Sequence, residues 1–166
     1  EYPGEFVPAG VTTDEYNFAE DRIAAMEVFN RSELKLWQVP RSAYRQTIMS
    51  RAEILTRIAP KGPLGGYLAD ALTATVLDFE RIGHLGGETY VMGDSPLVLL
   101  TALQTTFEAD TGSSRHRQVA CPTLNPDGSY QPNSNGRTIR VYESIDNRLM
   151  FEDLFAKLEL FAAGRR

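Results

Sequence analysis

The sequence predicts an α/β protein, in which helices with clear apolar stripes alternate with a few short strands. Its 166 residues are enough for one domain, and 42% hydrophobic with 23% charged residues is typical of a globular chain. Collagen-like, disordered and low-complexity classes are therefore excluded. Because too few strands occur to complete a sheet, we expect the missing strands to come from elsewhere. The expected architecture is an open sheet flanked by helices, with a small strand hairpin and a C-terminal helix.

Capping signals place the first helices. A helix is predicted over residues 22–30, with Asp21 at its N-cap. A short strand over residues 34–39 follows and is stopped by Pro40, after which Ser42 starts another helical turn. The first helix should bury three apolar residues at helical spacing, Ile23, Met26 and Phe29.

A capping box and a proline-rich break delimit the next two helices. Ser50 and Glu53 have the spacing of a capping box, and Pro60–Pro63 interrupts the chain before a long helix that ends near Gly83. The shorter helix carries Ile54, Leu55 and Ile58. The longer one carries a stripe formed by Leu64, Leu68, Leu72, Thr75, Val76 and Phe79.

A glycine-rich segment, residues 86–93, should run extended before the next helix. Ser95 is expected at the N-cap of that helix, with Pro96 at its first position. Its buried face is expected to consist of Leu97, Leu100 and residues 101–103.

Strands and one helix are predicted for the last third of the chain. Alternating residues indicate strands over 118–124 and 138–141, with turn chemistry at 125–128 and a loop over 130–136. Asp146 or Asn147 caps a last helix. Its apolar residues are Met150, Leu154, Leu158 and Phe161.

The charge and the cysteine content of the sequence restrict the class of binding partner and the cellular compartment. The formal net charge is −5, which disfavours nucleic acid and anionic membranes as partners. No stretch is apolar enough to span a membrane. One cysteine, Cys121, cannot form an internal disulfide, which favours a reducing compartment and a cytoplasmic location. The chain opens at Glu1 in a loop-like segment, so we expect it to continue something upstream.

Two short motifs could carry chemistry. Glu15 and Asn17 place a carboxylate and a carboxamide two residues apart, and such a pair can form hydrogen bonds with vicinal hydroxyls. The same residues also fit a plain turn before the helix. Asp94 stands between Gly93 and Ser95 at a helix start, where a carboxylate can bind a hard cation or simply act as a cap.

The two histidines have different predicted surroundings. His84 follows the long helix near Gly86, where it could act on a leaving group, although most loop histidines have no chemical role. His116 lies between Arg115 and Arg117 and is expected to be solvated. Common phosphate-binding, zinc-protease and nucleophile-elbow motifs do not occur in the sequence.

The order of these segments resembles the C-terminal half of the inosine-uridine preferring nucleoside hydrolases. The E-F-N element of that family is similar to Glu15–Asn17, and its metal-binding turn is similar to Met92–Pro96. Further segments that fit the family's later strands and helices are 36–40, 44–45, 137–142 and 147–158. The resemblance covers nearly the whole chain.

This resemblance implies hydrolysis of the N-glycosidic bond of a ribonucleoside by a calcium-bound water, with calcium as cofactor. Glu15 and Asn17 would then hold ribose hydroxyls, Asp94 would bind calcium and a ribose hydroxyl, and His84 would assist departure of the base. The resemblance also implies a role in purine and pyrimidine salvage.

The chain also departs from the family pattern. The family's N-terminal D-x-D-x-x-x-D-D cluster, which supplies the general base and most calcium ligands, has no counterpart, and Gly93 replaces a common histidine. We therefore expect a chain that is inactive alone and needs its N-terminal half or a companion chain. Two alternatives remain: a non-catalytic module that binds a ribosyl ligand, and a structural remnant whose exposed sheet edge pairs with a partner or with a second copy as a homo-oligomer.

Overall fold

The computed structural model describes residues 16–81, 87–103 and 112–165, and it shows a protein of mixed helices and small sheets. The helices are α1 Tyr16–Glu20, α2 Arg22–Asn30, α3 Arg41–Tyr44, α4 Arg51–Glu53, α5 Gly62–Arg81, α6 Ser95–Val98 and α7 Asn147–Ala162. Helices α4 and α6 each continue as a π-helical turn, Ile54–Ile58 and Leu99–Leu103. The strands are β1 Trp37–Gln38, β2 Ile48–Ser50, β3 Thr89–Val91, β4 Arg115–Ala120, β5 Thr123–Leu124, β6 Tyr130–Gln131 and β7 Thr138–Ser144.

The expected mixture of helices, strands and a C-terminal helix is confirmed, while the strands form three small sheets. One sheet has the order β1-β7-β4, with β1 parallel and β4 antiparallel to β7. The other two are antiparallel pairs, β2 with β3 and β5 with β6. Contacts divide the chain into a first unit, Glu1–Ala43 with Ser114–Ser144, and a second unit, Tyr44–Ser113 with Ile145–Arg166.

The first unit has its core between α2 and the inner face of the β1-β7-β4 sheet. Its buried side chains are Phe29, Cys121, Leu124, Ile139 and Val141. Helix α2 begins where Asp21 accepts a hydrogen bond from the Ala24 N–H at 2.9 Å, as its capping signal predicts. Phe18 anchors α1 to this core, with its ring centroid 5.3 Å from that of Phe29.

Arg137 satisfies the open carbonyls at the C-terminus of α2. Its guanidinium donates to the carbonyls of Val28 and Phe29, both at 2.7 Å, and to that of Leu34 at 3.1 Å. The last carbonyls of a helix have no partner within the helix, so a cation from another element is favourable there. Arg137 therefore ties α2 to the start of β7.

The second unit packs α5, α7 and the π-helical turn after α4 around one core. Its buried residues are Met49, Ile54, Ile58, Ala69, Phe155 and Leu158. The predicted capping box is confirmed: the Glu53 N–H donates to Ser50 Oγ at 3.1 Å, and the Ser50 N–H donates to Glu53 Oε2 at 2.8 Å. Asp146, one of the two predicted caps of the last helix, accepts from the Leu149 N–H at 2.8 Å.

Several predicted boundaries are wrong by a few residues. The strand expected over 34–39 is limited to β1, and the strand expected over 118–124 is divided into β4 and β5 by Cys121–Pro122. Residues 130–131 form β6 rather than loop. The turn at 125–128 is confirmed, since the Gly128 N–H donates to the Asn125 carbonyl at 2.9 Å and Gly128 has φ +83°.

Some apolar residues predicted to face the core are exposed. Ile23 is 77% exposed, because it lies about 120° around the helix from buried Phe29. On α6 and the π-helical turn after it, Leu97, Thr101 and Ala102 are exposed, and Leu99 is buried beside Leu100. Among the residues whose burial is described, the other exposed members of the predicted stripes are Leu55, Leu64 and Phe161.

Among the described residues, no helix is both long and apolar enough to span a bilayer.

Candidate functional site

The turn that presents Asp94 is held by backbone hydrogen bonds at the end of β3. The Met92 N–H donates to the Thr47 carbonyl at 2.8 Å, and the Ser95 N–H donates to the Met92 carbonyl at 3.1 Å. Thr47 is fully buried, and its hydroxyl donates to the Tyr44 carbonyl at 2.5 Å. The turn therefore rests on a fixed support in the second unit.

Gly93 lets this turn lie close to an aromatic ring. A Cβ atom at Gly93 would be 3.4 Å from Cδ2 of Tyr44, which is tight packing for an added atom. Buried Pro96 follows in α6 and fixes the direction of the helix start. Asp94 lies between these two packed residues.

Asp94 occupies the N-cap position of α6, which corrects the prediction that Ser95 is the N-cap and Pro96 the first helical residue. Its side chain is exposed and makes no capping hydrogen bond. An N-cap carboxylate usually accepts a hydrogen bond from a backbone N–H of the first helical turn. Asp94 makes no such bond, so it does not act as a capping side chain here. The backbone of Asp94 is held by the turn, and its side chain is exposed.

Asn17 lies in the first turn of α1, which corrects the expected loop. It is exposed, whereas the next residue, Phe18, packs edge-on against Phe29 and Tyr130. A helix turns by about 100° per residue, so burial of Phe18 directs Asn17 outwards. Asn17 belongs to the first unit and Asp94 to the second.

Two of the predicted site residues, Glu15 and His84, lie outside the described residues. The structure therefore describes Asn17 and Asp94 from the predicted set. Within 16–81, 87–103 and 112–165, no group of three or more His, Cys, Asp or Glu side chains could hold a metal ion. A carboxylate is a hard donor that suits calcium, but one residue provides at most two of the roughly six to eight oxygens that calcium takes. Asp94 thus fits one position of such a site.

His116 corrects the expectation of a solvated side chain. Its ring lies 5.4 Å from that of buried Tyr142, and its Nδ1 atom is buried without a hydrogen-bond partner. Burial lowers the pKa of His116 below 6.5, and the nearby Arg140 guanidinium lowers it further, against a smaller opposing effect of Glu143. Its neutral form is therefore favoured.

This histidine belongs to an aromatic and cationic cluster on one face of the β1-β7-β4 sheet. The guanidinium carbon of Arg140 lies 4.3 Å above the Trp37 ring, and its Nη1 donates to the Tyr142 hydroxyl at 3.4 Å. Sequence reasoning missed this cluster. The alternation of Arg140 and Tyr142 along β7 was a usable signal, because residues two apart on a strand share a face.

A small pocket with a volume of about 10 Å³ lies in the second unit, and Asp94 does not line it. Its lining is mostly apolar and includes Ile54, Thr73, Val76, Leu77, Thr89 and Tyr90. A second groove between the π-helical turn and α7 is polar, but its charges are already matched. There Arg57 forms a two-bonded pair with Glu152, and Lys61 pairs with Glu159.

Comparisons with family models, with curated proteins and with solved structures find no match to this chain.

Proposed function

We propose that the chain takes part in hydrolysis of the N-glycosidic bond of ribonucleosides, giving ribose and free base. In this proposal it is the C-terminal part of a nucleoside-hydrolase-like enzyme with an open sheet flanked by helices. The observation that carries the proposal is the state of Asp94. Its side chain is exposed and makes no capping hydrogen bond, and its backbone lies between packed Gly93 and buried Pro96.

The geometry of Asp94 suits a ligand that is shared between protein and substrate. A carboxylate has two oxygens with several lone pairs, so one oxygen can bind a calcium ion while the other accepts a hydrogen bond from a ribose hydroxyl. Because the turn is fixed by backbone bonds at 2.8 and 3.1 Å, little conformational entropy is lost when the ligand binds. Calcium, when bound, would orient the sugar and lower the pKa of the attacking water.

The remaining roles fall to residues on other segments. Asn17, an exposed residue of α1, is proposed to donate its amide N–H to a ribose hydroxyl. Glu15 is proposed to accept a hydrogen bond from the neighbouring hydroxyl, and His84 to give a proton to the departing base. A general base and further calcium ligands are proposed to come from an N-terminal half or a companion chain.

The test compares the 166-residue chain with the product of its full reading frame. Release of base from inosine and uridine is measured with and without calcium, and the upstream reading frame is inspected for an acidic D-x-D-x-x-x-D-D segment. We expect the isolated chain to release no base and the longer product to do so in a calcium-dependent reaction. Robust hydrolysis by the isolated chain would contradict the proposal that this chain is incomplete. A longer product that releases no base would contradict the proposed activity.

A matched pair of variants tests the role of Asp94 in the longer product. Asp94→Asn should weaken calcium binding by at least about tenfold in calorimetry, because it removes a charged ligand. Asp70→Asn removes another exposed carboxylate of the second unit, on α5, and should leave calcium affinity unchanged. Equal calcium affinities of the two variants would contradict the assignment of Asp94 as a calcium ligand.

A further inference from the structure

The turn formed by residues 133–136 contains Asn135, the single asparagine of the sequence that is followed by glycine. This turn joins β6 to β7, and the Gly136 N–H closes it by donating to the Asn133 carbonyl at 3.0 Å. An Asn-Gly bond is chemically labile, because the glycine nitrogen can attack the preceding carboxamide without hindrance from a side chain of its own. The turn is therefore a candidate site of chemical modification.

Packing requires glycine at position 136. A Cβ atom there would lie 2.1 Å from the carbonyl oxygen of Cys121, so a larger residue does not fit unless the backbone moves. The next residue, Arg137, accepts a hydrogen bond from the Cys121 N–H at 2.8 Å, and its guanidinium donates to the carbonyls of Val28 and Phe29. The close approach of two segments thus keeps a labile bond directly before Arg137.

The side chain of Asn135 is available for reaction. Asn135 is exposed, and its carboxamide forms no hydrogen bond with any of the residues that the structure describes. Its backbone N–H donates to the side-chain oxygen of Asn133 at 3.1 Å, so the carboxamide of Asn133 is engaged in the turn. Of the two asparagines in this turn, Asn135 is therefore the one whose side chain is free to approach the following nitrogen.

A second turn of the first unit, residues 125–128, provides an internal comparison. It contains Asp127, the single aspartate followed by glycine, and the Gly128 N–H closes it at 2.9 Å in the same way. The carboxylate of Asp127, however, accepts hydrogen bonds from the Ser129 hydroxyl at 2.6 Å and from the Ser129 N–H at 2.9 Å. These bonds lower the pKa of Asp127 below 3.8, and an ionised carboxylate is a poor electrophile. Asp127 is therefore protected, whereas Asn135 is not.

We propose that Asn135 is a site of spontaneous deamidation, controlled by opening of the 133–136 turn. The Gly136 nitrogen loses its proton to solvent hydroxide and bonds to Cγ of Asn135. The Cγ–Nδ2 bond breaks, and the leaving nitrogen takes a proton from water and departs as ammonia. Water then opens the resulting succinimide at either carbonyl, which leaves aspartate or isoaspartate at position 135.

The fold controls the rate of this reaction. In the folded chain the attacking nitrogen is held by its hydrogen bond to the Asn133 carbonyl, so the turn must open locally before the ring can form. The isoaspartate product has an additional carbon atom in its main chain. Because Gly136 has no space beside Cys121, this longer backbone displaces Gly136 and the Arg137 that follows it.

The test follows the 166-residue chain during incubation at mildly alkaline pH. Mass spectrometry of proteolytic fragments identifies each deamidated asparagine, and chromatography separates isoaspartyl from aspartyl peptides. We expect Asn135 to react faster than every other asparagine, and Asp127 to form no isoaspartate in the same period. A blocked peptide with the sequence of residues 131–140 should react at least about tenfold faster than the folded chain, because it has no turn to open.

Matched variants test the control by the turn. Asn133→Ala removes the side chain that accepts from the Asn135 N–H, so it should accelerate the reaction in the folded chain but leave the rate of the peptide unchanged. Asn135→Gln requires a larger ring and should abolish the conversion. The purified isoaspartyl chain should unfold at a lower urea concentration than Asn135→Asp, which has the same charge and a normal backbone; Trp37 fluorescence follows both.

Four results would overturn the proposal. Asn135 that reacts no faster than the other asparagines, or isoaspartate that forms first at Asp127, would contradict the assignment of the site. A folded chain that reacts as fast as the peptide, or an Asn133→Ala chain that reacts no faster than the unchanged protein, would contradict control by the turn.

Discussion

Replacement of Arg137 tests whether one side chain holds α2 on the sheet of the first unit. Its guanidinium donates three hydrogen bonds to carbonyls at 2.7, 2.7 and 3.1 Å. Two of these carbonyls, those of Val28 and Phe29, lie in the last turn of α2 and would lose a partner in Arg137→Ala. The Val28 carbonyl would keep the Ser32 hydroxyl as a donor at 2.7 Å, and the Phe29 carbonyl would keep only the weak Cys121 thiol at 3.5 Å, so both would be less well satisfied.

The expected loss follows from these contacts. At about 1 kcal/mol for each hydrogen bond, Arg137→Ala should lower the free energy of unfolding by about 3 kcal/mol. Loss of the cation at the helix C-terminus adds about 0.5 kcal/mol. Arg137→Lys keeps the charge but cannot reach three carbonyls from one planar group, so we expect a loss of about 2 kcal/mol.

Urea unfolding followed by tryptophan fluorescence is a suitable assay, since Trp37 is the single tryptophan and lies in the first unit. Arg31→Ala is the control, because Arg31 forms only an exposed pair with Glu27 and should cost about 0.3–0.5 kcal/mol. A loss below about 1 kcal/mol for Arg137→Ala, or a Lys variant as stable as the unchanged protein, would refute the reasoning.

Three further predictions concern local geometry and pH. In α5, Gly65→Ala should lower the free energy of unfolding by more than about 1 kcal/mol, because the added Cβ would lie 2.2 Å from the Ile58 carbonyl oxygen. Gly66→Ala, whose Cβ would have nothing within 4 Å, should raise it by about 0.5–1 kcal/mol. Urea unfolding measures both changes. The pKa of His116 is lowered in the folded chain, so the unfolded chain binds the proton more readily. The contribution of His116 to the stability of the first unit is therefore complete above pH 6.5 and should fall as the pH drops below it. His116→Gln should weaken this pH dependence when unfolding is followed by Trp37 fluorescence. Asp146→Ala should cost about 1 kcal/mol in thermal unfolding, because it removes a formed cap, and a cost as large for Asp94→Ala would contradict the uncapped geometry of Asp94.

The candidate site was only partly predictable from sequence. The sequence identifies Asp94 at a helix start, but its position as N-cap without a capping bond depends on the packing of Gly93 against Tyr44 and on buried Pro96. Asn17 was assigned to a loop because its neighbours resemble turn residues. The burial of Phe18 against Phe29, a contact between different elements, places it in α1 instead.

Helix starts were determined by the sequence itself. Asp21, Ser50 and Asp146 each cap the helix predicted for them, because a capping bond joins residues two or three positions apart and needs no other element. The general mixture of helices and short strands follows from the same local patterns of apolar residues.

Only the tertiary structure decided which apolar faces are buried and which backbone groups of a strand point towards its neighbour. Ile23 has the same spacing signal as Phe29, yet it is exposed because the sheet covers a narrower part of α2 than the pattern allows. The direction of each backbone group in β4 likewise depends on the register with β7, in which successive residues face opposite sides. Such outcomes depend on contacts between residues far apart in the chain, and local spacing carries no information about which partner is present.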